Sequence, residues 1–253
     1  MTSAIFELSS RVAQRYWAVA LVVAGWQIWV SAAGLSSIVL PGPLAVLTDF
    51  VGDPLSYAEP AGRTFAVAVV GLLFGFVLGS ALAVLSWSSR LLNGLLTPLG
   101  LIFTSIPVVT LIPIIARLLG YDVRTVVAIV ALICFFPAFV YVGSGLRALP
   151  PGSDDLFRVF GGSRRQCFLR LVLPSSIPNL MLAFRLTAPE AVLAAVVAEF
   201  LMGTDGLGHM FRKAAGEFDT ERALATSLIA TITSVACFGL ALAAERRVLR
   251  RWT

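Results

Sequence analysis

The chain has 253 residues, of which 58% are hydrophobic and only 13% charged, with a mean hydropathy of +0.91 and a net charge of +5. Soluble domains carry about 25% charged residues, so a soluble enzyme is excluded and an all-α integral membrane protein is expected. Cys134, Cys167 and Cys237 are scattered and His209 is the single histidine, so neither a metal site nor a redox pair is expected.

Taken in order, the chain offers about six apolar runs near the ~20 residues that a helix needs to cross a bilayer. Residues 16–48 carry no charge, and the first span is placed at about 17–33. No small-residue cleavage site follows it, so a cleavable signal peptide is not expected. The second span covers about 64–87 and carries Gly71, Gly75 and Gly79 every fourth residue, a ladder that lets helices approach closely. The third lies within 91–116 and is interrupted by Pro98, Pro107 and Pro113. Mid-span prolines are tolerated where neighbours or a cavity satisfy the freed carbonyls, so this span either is broken beside a pathway or is merely kinked. The fourth runs over 125–146 with Pro137 inside, the fifth over about 178–202 with Arg185 and Glu190, and the sixth over about 223–244.

Loop charge sets the orientation. Basic residues dominate the N-terminal segment (Arg11, Arg15), the second loop (Arg90), the stretch 147–174 and the C-terminus (Arg246, Arg247, Arg250, Arg251). Acidic residues dominate the loop after the first span (Asp49, Asp53, Glu59) and the loop after the fifth (Asp205, Glu217, Asp219, Glu221). Both termini and the 147–174 stretch are therefore expected in the cytoplasm of a multi-pass membrane protein.

The stretch 147–174 organises the chain, and two short helices are written into it. Ser153 is placed as an N-cap with Asp154 and Asp155 in the first turn, where the helix dipole favours negative charge. Leu156, Phe157, Val159 and Phe160 give the first helix an apolar face, and Gly161-Gly162 ends it. Ser163 and Gln166 have capping-box spacing for the second. Phe168, Leu171 and Val172 line one side of it, Arg164, Arg165 and Arg170 keep it at a surface, and Pro174 is expected to end it.

These features resemble a known family. Asp155, Gly161 and Leu173-Pro174 resemble the EAA motif, the coupling loop of bacterial ATP-binding-cassette (ABC) importer permeases, although Leu156 and Phe157 stand where small residues are usual. Gly161-Gly162-Ser163-Arg164 and Leu173-Pro174-Ser175-Ser176-Ile177-Pro178 are similar to its nitrate, sulfonate and taurine branch. So, in order, are Leu40-Pro41-Gly42-Pro43, Gly75-Phe76 with Gly79, Ile106-Pro107 through Ile112-Pro113, and Arg185 with Glu199 followed by Gly206-Leu207-Gly208. Gly71 departs from the pattern, standing where an arginine is usual.

The resemblance covers about residues 38–250 of a single transmembrane domain, preceded by an N-terminal segment and first span at 1–37. It implies the type I importer permease fold and a permease subunit of the bacterial inner membrane, not an enzyme. The partners implied are a second permease subunit, expected as a homodimer, two ATP-binding subunits, an extracytoplasmic solute-binding protein and the lipid bilayer, with no nucleic acid. ATP and magnesium would be bound by the separate ATPase, because this chain has no Gly-x-x-x-x-Gly-Lys-Ser/Thr phosphate loop. Coupling would fall to Asp155, Phe157, Arg158, Phe160, Gly161, Ser163, Arg164, Arg165, Phe168, Leu173 and Pro174. Phe157, Phe160 and Phe168 are the expected buried anchors, and Arg158, Arg164 and Arg165 the rim contacts.

Pathway candidates are Glu190, Arg185, Glu199, Pro107 and Pro113. A carboxylate at mid-span costs about 2.5–3.5 kcal/mol if it faces lipid, so Glu190 should face water or protein, or pair with Arg185. Arg185 could instead reach toward the cytoplasmic face. Glu199, at the outer end of the fifth span, reads as a gate or packing residue, and Arg212 and Lys213 as a solvated surface or a contact for the binding protein. The branch moves nitrate, sulfonates, taurine, bicarbonate and thiamine-precursor-like compounds; Glu190 weighs against a bare anion. The alternative from another class is a secondary transporter or channel that works without an ATPase.

Overall fold

The computed structural model describes the backbone of residues 2–104, 107–149 and 152–250, and their side chains except those of residues 2–16, 97, 99, 101–104, 154 and 158. Among the described residues every regular element is helical. The chain opens with α1 (Thr2–Ala32) and α2 (Pro43–Gly52), then α3 (Pro54–Ser88), α4 (Arg90–Thr104), α5 (Val108–Leu119) and α6 (Val123–Arg147). It continues with α7 (Ser153–Val159), α8 (Arg164–Cys167), a π-helical segment (Phe168–Val172), α9 (Leu173–Met202), α10 (Leu207–Gly216) and α11 (Thr220–Leu249).

Four continuous stretches are long and apolar enough to cross a membrane: α3, α6, the run Arg164–Met202, and α11. α3 has 35 residues, about 52 Å at the α-helical rise, so its first turns, with Glu59 and Arg63, stand clear of a hydrocarbon layer about 30 Å thick. The first and third expected spans differ from these four. α1 supplies a shorter apolar stretch, Trp17–Ala32. The expected third span falls on two helices, α4 and α5, with Pro107 as the extended N-cap of α5. The two open readings of its prolines thus divide: Pro107 marks the break, whereas Pro98 and Pro113 stay inside helices.

Three helix starts are fixed by carboxylates. Asp53 accepts from the Ser56 N–H before α3, Asp122 from the Arg124 and Thr125 N–H groups before α6, and Asp219 from the Arg222 N–H before α11. Each removes an orphan donor that the helix cannot satisfy itself.

The core is built on the glycine ladder. A Cβ on Gly71 would lie 2.5 Å from Val130, on Gly75 2.2 Å from the Ala131 carbonyl oxygen, and on Gly79 2.4 Å from the Phe135 carbonyl oxygen. α3 and α6 therefore pack nearly backbone to backbone, as small-residue ladders permit. α9 lies against both of them and also contacts α5, α10 and α11. Its Ala191, Val192 and Ala195 join Ile112, Ala116, Ile129 and Val130 in the largest buried cluster.

One expectation is overturned here. Pro174 does not end the second short helix: α8, the π-helical segment and α9 form one continuous rod from Arg164 to Met202. In an α-helix the proline ring would collide with the carbonyl four residues back. In the wider π turn the Leu173 N–H bonds to the Phe168 carbonyl, five residues back. That widening accommodates Pro174 in the first turn of α9.

Candidate functional site

The structure gathers chemistry at both ends of the bundle. At one end lie α7 and α8, which follow α6 and feed α9. Gly161 takes φ +74°, a left-handed conformation that glycine adopts without cost, and the Gly162 N–H closes the turn on the Phe157 carbonyl at 3.1 Å. Both halves of the expected capping box are formed, by Ser163 and Gln166.

The aromatic residues of this segment divide. Phe157 and Phe168 are taken up by the chain's own inner core with Val142, Leu146, Val172 and Ala183. Phe168 stacks against Trp87 of α3 with ring centroids 5.0 Å apart. Phe157 and Phe168, expected as anchors that bury in the ATPase, are thus partly buried within this chain instead. Phe160 is 81% exposed, together with Val159 (83%) and Leu156 (62%). The apolar face free for a partner is Leu156, Val159 and Phe160.

Arg164 is likewise committed. Its Nη2 donates to the Ser88 carbonyl at 2.6 Å and its guanidinium lies over the Trp87 ring at 5.8 Å. Arg165 and Asp155 are exposed, and Leu173 and Pro174 are half-buried. The Arg158 side chain lies outside the described residues. Arg147, at the end of α6, donates to Asn93 Oδ1 of α4 at 3.0 Å. These turns are thus pinned to the ends of α3 and α6 and run unbroken into α9.

At the opposite end Glu199, 1% exposed, is the hub. Its Oε2 accepts from the Thr64 hydroxyl of α3 at 2.8 Å and from the Gly208 N–H at the start of α10 at 3.0 Å. Thr64 in turn accepts from the Leu207 N–H at 2.9 Å. Gly206 takes φ +140°, and a Cβ there would lie 2.3 Å from the Glu199 carboxyl group. A carboxylate at a helix N-terminus meets both the free N–H groups and the positive end of the dipole. One buried side chain therefore ties α9, α3 and α10 together. Glu199→Ala would orphan the Thr64 hydroxyl and the Gly208 N–H, at a cost of about 1–3 kcal/mol. Glu199→Gln keeps an acceptor for both and should lose clearly less. Thermal melting of the purified variants checks this, and equal losses would contradict it.

Next to the hub, reaching it at Gly206, lies an open polar cleft of about 440 Å³, walled by Arg63, Asp205, His209, Lys213, Asp219 and Arg222 among others, and Glu199 itself lines a separate cleft of about 610 Å³. Arg63 bridges Glu59 at 2.7 Å and Asp205 at 2.6 Å. Both pairs are solvent-exposed, so they order the surface more than they stabilise it. Tyr57 donates a short hydrogen bond to Asp49 and so joins α3 to α2.

The pathway candidates separate by surroundings. Arg185 pairs at 2.9 Å with Glu245 of α11, not with Glu190. Glu199 is enclosed in the hub. Glu190, Pro107 and Pro113 are exposed. Glu190 shares a face of α9 with exposed Leu193 and Leu201, at helical spacing.

Sequence reasoning missed the partners of these residues. Thr64 and Glu245 lie 135 and 60 residues from the groups they satisfy. A buried carboxylate announces that it has a partner, but not which one.

Comparison with known proteins agrees with this architecture. The family model described as "Binding-protein-dependent transport system inner membrane component" matches residues 64–253. Formylaminopyrimidine transport permease protein ThiX of Halalkalibacterium halodurans is 31% identical over 202 residues, covering 79% of this chain and 80% of that protein. Riboflavin transport system permease protein RibX of Chloroflexus aurantiacus is 30% identical, covering 92% and 87%. Putative aliphatic sulfonates transport permease protein SsuC of Bacillus subtilis is 26% identical, covering 91% and 84%. Among solved structures, an inward-facing MetNI methionine ABC transporter chain superposes with a TM-score of 0.64 at 21% identity, covering 77% of this chain and 95% of that one. A bacterial ABC transporter that imports the polysaccharide alginate superposes with a TM-score of 0.63 at 14% identity, covering 95% and 99%.

Proposed function

This chain belongs to the family of binding-protein-dependent transport system inner membrane components and is a permease subunit of an ABC importer, and on that premise we propose how its geometry does the work. Membership sets aside the secondary-transporter and channel reading. α7 and α8 are the handle on which a separate ATPase pulls. The observation that carries this is the pairing of an exposed apolar face, Leu156, Val159 and Phe160, with a rigid mounting. Arg164 locks that mounting to the end of α3, and the rod Arg164–Met202 continues it across the membrane. A push on α7 and α8 is therefore delivered to α3 and α9 together, with no flexible joint at Pro174 to absorb it. Packed helices move between discrete arrangements, so ATP-driven closure of the motor would switch the spans from one access state to the other.

ATP hydrolysis, with its magnesium, is assigned to that separate subunit, since the sequence holds no phosphate loop. The ends that carry α7, Arg90 and both termini face the cytoplasm, as their arginines favour. Two copies of the chain pair across the exposed face of α9, and the solute passes between them. An extracytoplasmic binding protein delivers it to the charged cleft around Arg63 and Asp205.

Glu190 then sits at mid-depth on the pathway. Lipid exposure there would cost about 2.5–3.5 kcal/mol, which a water-filled passage avoids. A fixed carboxylate attracts a cation or a hydrogen-bond donor and repels a bare anion. Glu190 therefore favours a donor-bearing, uncharged or cationic cargo over sulfonates, a reading supported by the relatives named for formylaminopyrimidine and riboflavin transport. Glu190→Gln should lower uptake of such a cargo about tenfold, the worth of one charge-assisted hydrogen bond, while ATPase stimulation by the binding protein persists. Radiolabelled uptake into proteoliposomes containing the complete transporter measures it; unchanged uptake and selectivity would remove Glu190 from the pathway.

A further inference from the structure

We infer that the last turns of α11, together with Arg185 of α9, form a binding site for the phosphate headgroup of an anionic phospholipid. Two clefts flank the last turns of α11. One, of about 420 Å³, is lined by Arg185, Leu242, Glu245, Arg246, Leu249 and Arg250. The other, of about 260 Å³, is lined by Gly239, Leu242, Ala243, Arg246, Arg247 and Arg250. Arg246 and Arg250 are four residues apart, so they project from one face of the helix and wall both clefts.

The charge balance of this place is one-sided. Glu245, the one acid among the lining residues, is consumed by Arg185 at 2.9 Å. Arg185 Nε is buried and has no protein partner. Arg246, Arg247 and Arg250 are exposed, and none of them makes a salt bridge among the described residues. That leaves three uncompensated guanidiniums around two adjoining hollows. Guanidinium groups match phosphate oxygens bidentately.

The rest of the lining selects a lipid over a free ion. Leu242, Ala243 and Gly239 lead from the arginines toward the middle of α11, and a Cβ added at Gly239 would meet open space. Farther along, Ile232, Val235 and Leu240 are exposed, so this helix presents an apolar flank along which acyl chains can lie. Basic hollows at the ends of membrane helices, continuous with apolar surface, suit anionic headgroups. The proposal rests on the orientation given above only for naming the cytoplasmic leaflet; the site does not depend on solute or motor.

The test uses the purified full-length chain in a neutral detergent, with thermal melting and native mass spectrometry. The probes are phosphatidylglycerol and cardiolipin, with phosphatidylcholine and inorganic phosphate as separate arms. The anionic lipids should raise the melting temperature and be retained at least about fivefold over phosphatidylcholine, with a loss on the order of fivefold for each arginine removed in Arg246→Gln and Arg250→Gln. Arg212→Gln, at the other end of the bundle, should retain the preference. Should the glutamine variants fail to fold, Arg246→Lys with Arg250→Lys replaces them, keeping charge but losing bidentate geometry, and should show a weakened preference. Equal retention of anionic and zwitterionic lipid by the unaltered chain, or an undiminished preference in the arginine variants, would overturn the site. Stabilisation by inorganic phosphate equal to that by the lipids would overturn the lipid assignment in favour of a free-anion site.

Discussion

Gly75→Ala should destabilise the folded chain by about 2–3 kcal/mol, the range for overpacking a tight interior, whereas Gly94→Ala should shift it by less than about 0.5 kcal/mol. The added methyl at 75 would lie 2.2 Å from the Ala131 carbonyl oxygen, whereas at 94 it would meet nothing within 4 Å. A carbonyl held within helix α6 cannot turn aside as a side chain can. The helices must part instead, and the ladder contacts at Gly71 and Gly79 loosen with them. Both substitutions raise helix propensity by a similar amount, so the difference between them isolates the packing term. Melting of the two purified variants in one detergent gives the comparison. Equal stability would mean that α3 and α6 do not approach at this point.

Phe160→Asp should abolish ATP-driven uptake while leaving the permease folded in the membrane. Phe160 is 81% exposed, so the change costs the isolated chain little. Burying a phenylalanine in a partner contributes about 1.5–3 kcal/mol, and a carboxylate left in that groove adds a desolvation cost. Together these weaken association with the motor by at least about 30-fold. The readout is co-purification of the ATPase with tagged permease. Phe168→Ala should differ in kind: that ring packs on Trp87, so its loss lowers stability before it lowers association.

Much of this was legible in the residues because membrane folds are written in long, repetitive signals. The glycine ladder named the close α3–α6 contact, and Ser163 with Gln166 named a cap that the structure forms on both sides. Gly161 was readable as a stop because few other residues accept its conformation. Pro174 misled because the rule that it obeys holds for α-helical turns, and the turn before it is π-helical. The division of the phenylalanines was hidden for another reason. A helix of 7 residues has two sides that both carry apolar groups, and only the cluster formed by Val142, Leu146, Val172 and Ala183 from α6 and the rod, which takes up Phe157, decides which side is covered. Glu190, Arg185 and Glu199 were equally visible as charges in apolar surroundings. Their different fates follow from Glu245 and Thr64, which no local pattern connects to them.

The central claim is that the Leu156–Phe160 face lies inside the cell and carries the motor. The three native cysteines are buried, so a single introduced thiol can report on that face with little background. With Phe160→Cys in the assembled transporter, a membrane-impermeant maleimide added to intact cells should leave position 160 unlabelled, and a short bifunctional crosslinker added to inverted vesicles should join it to the nucleotide-hydrolysing subunit. Labelling of Cys at 160 from outside the cell, or its failure to crosslink in transporters that still hydrolyse ATP in response to the binding protein, would contradict the account.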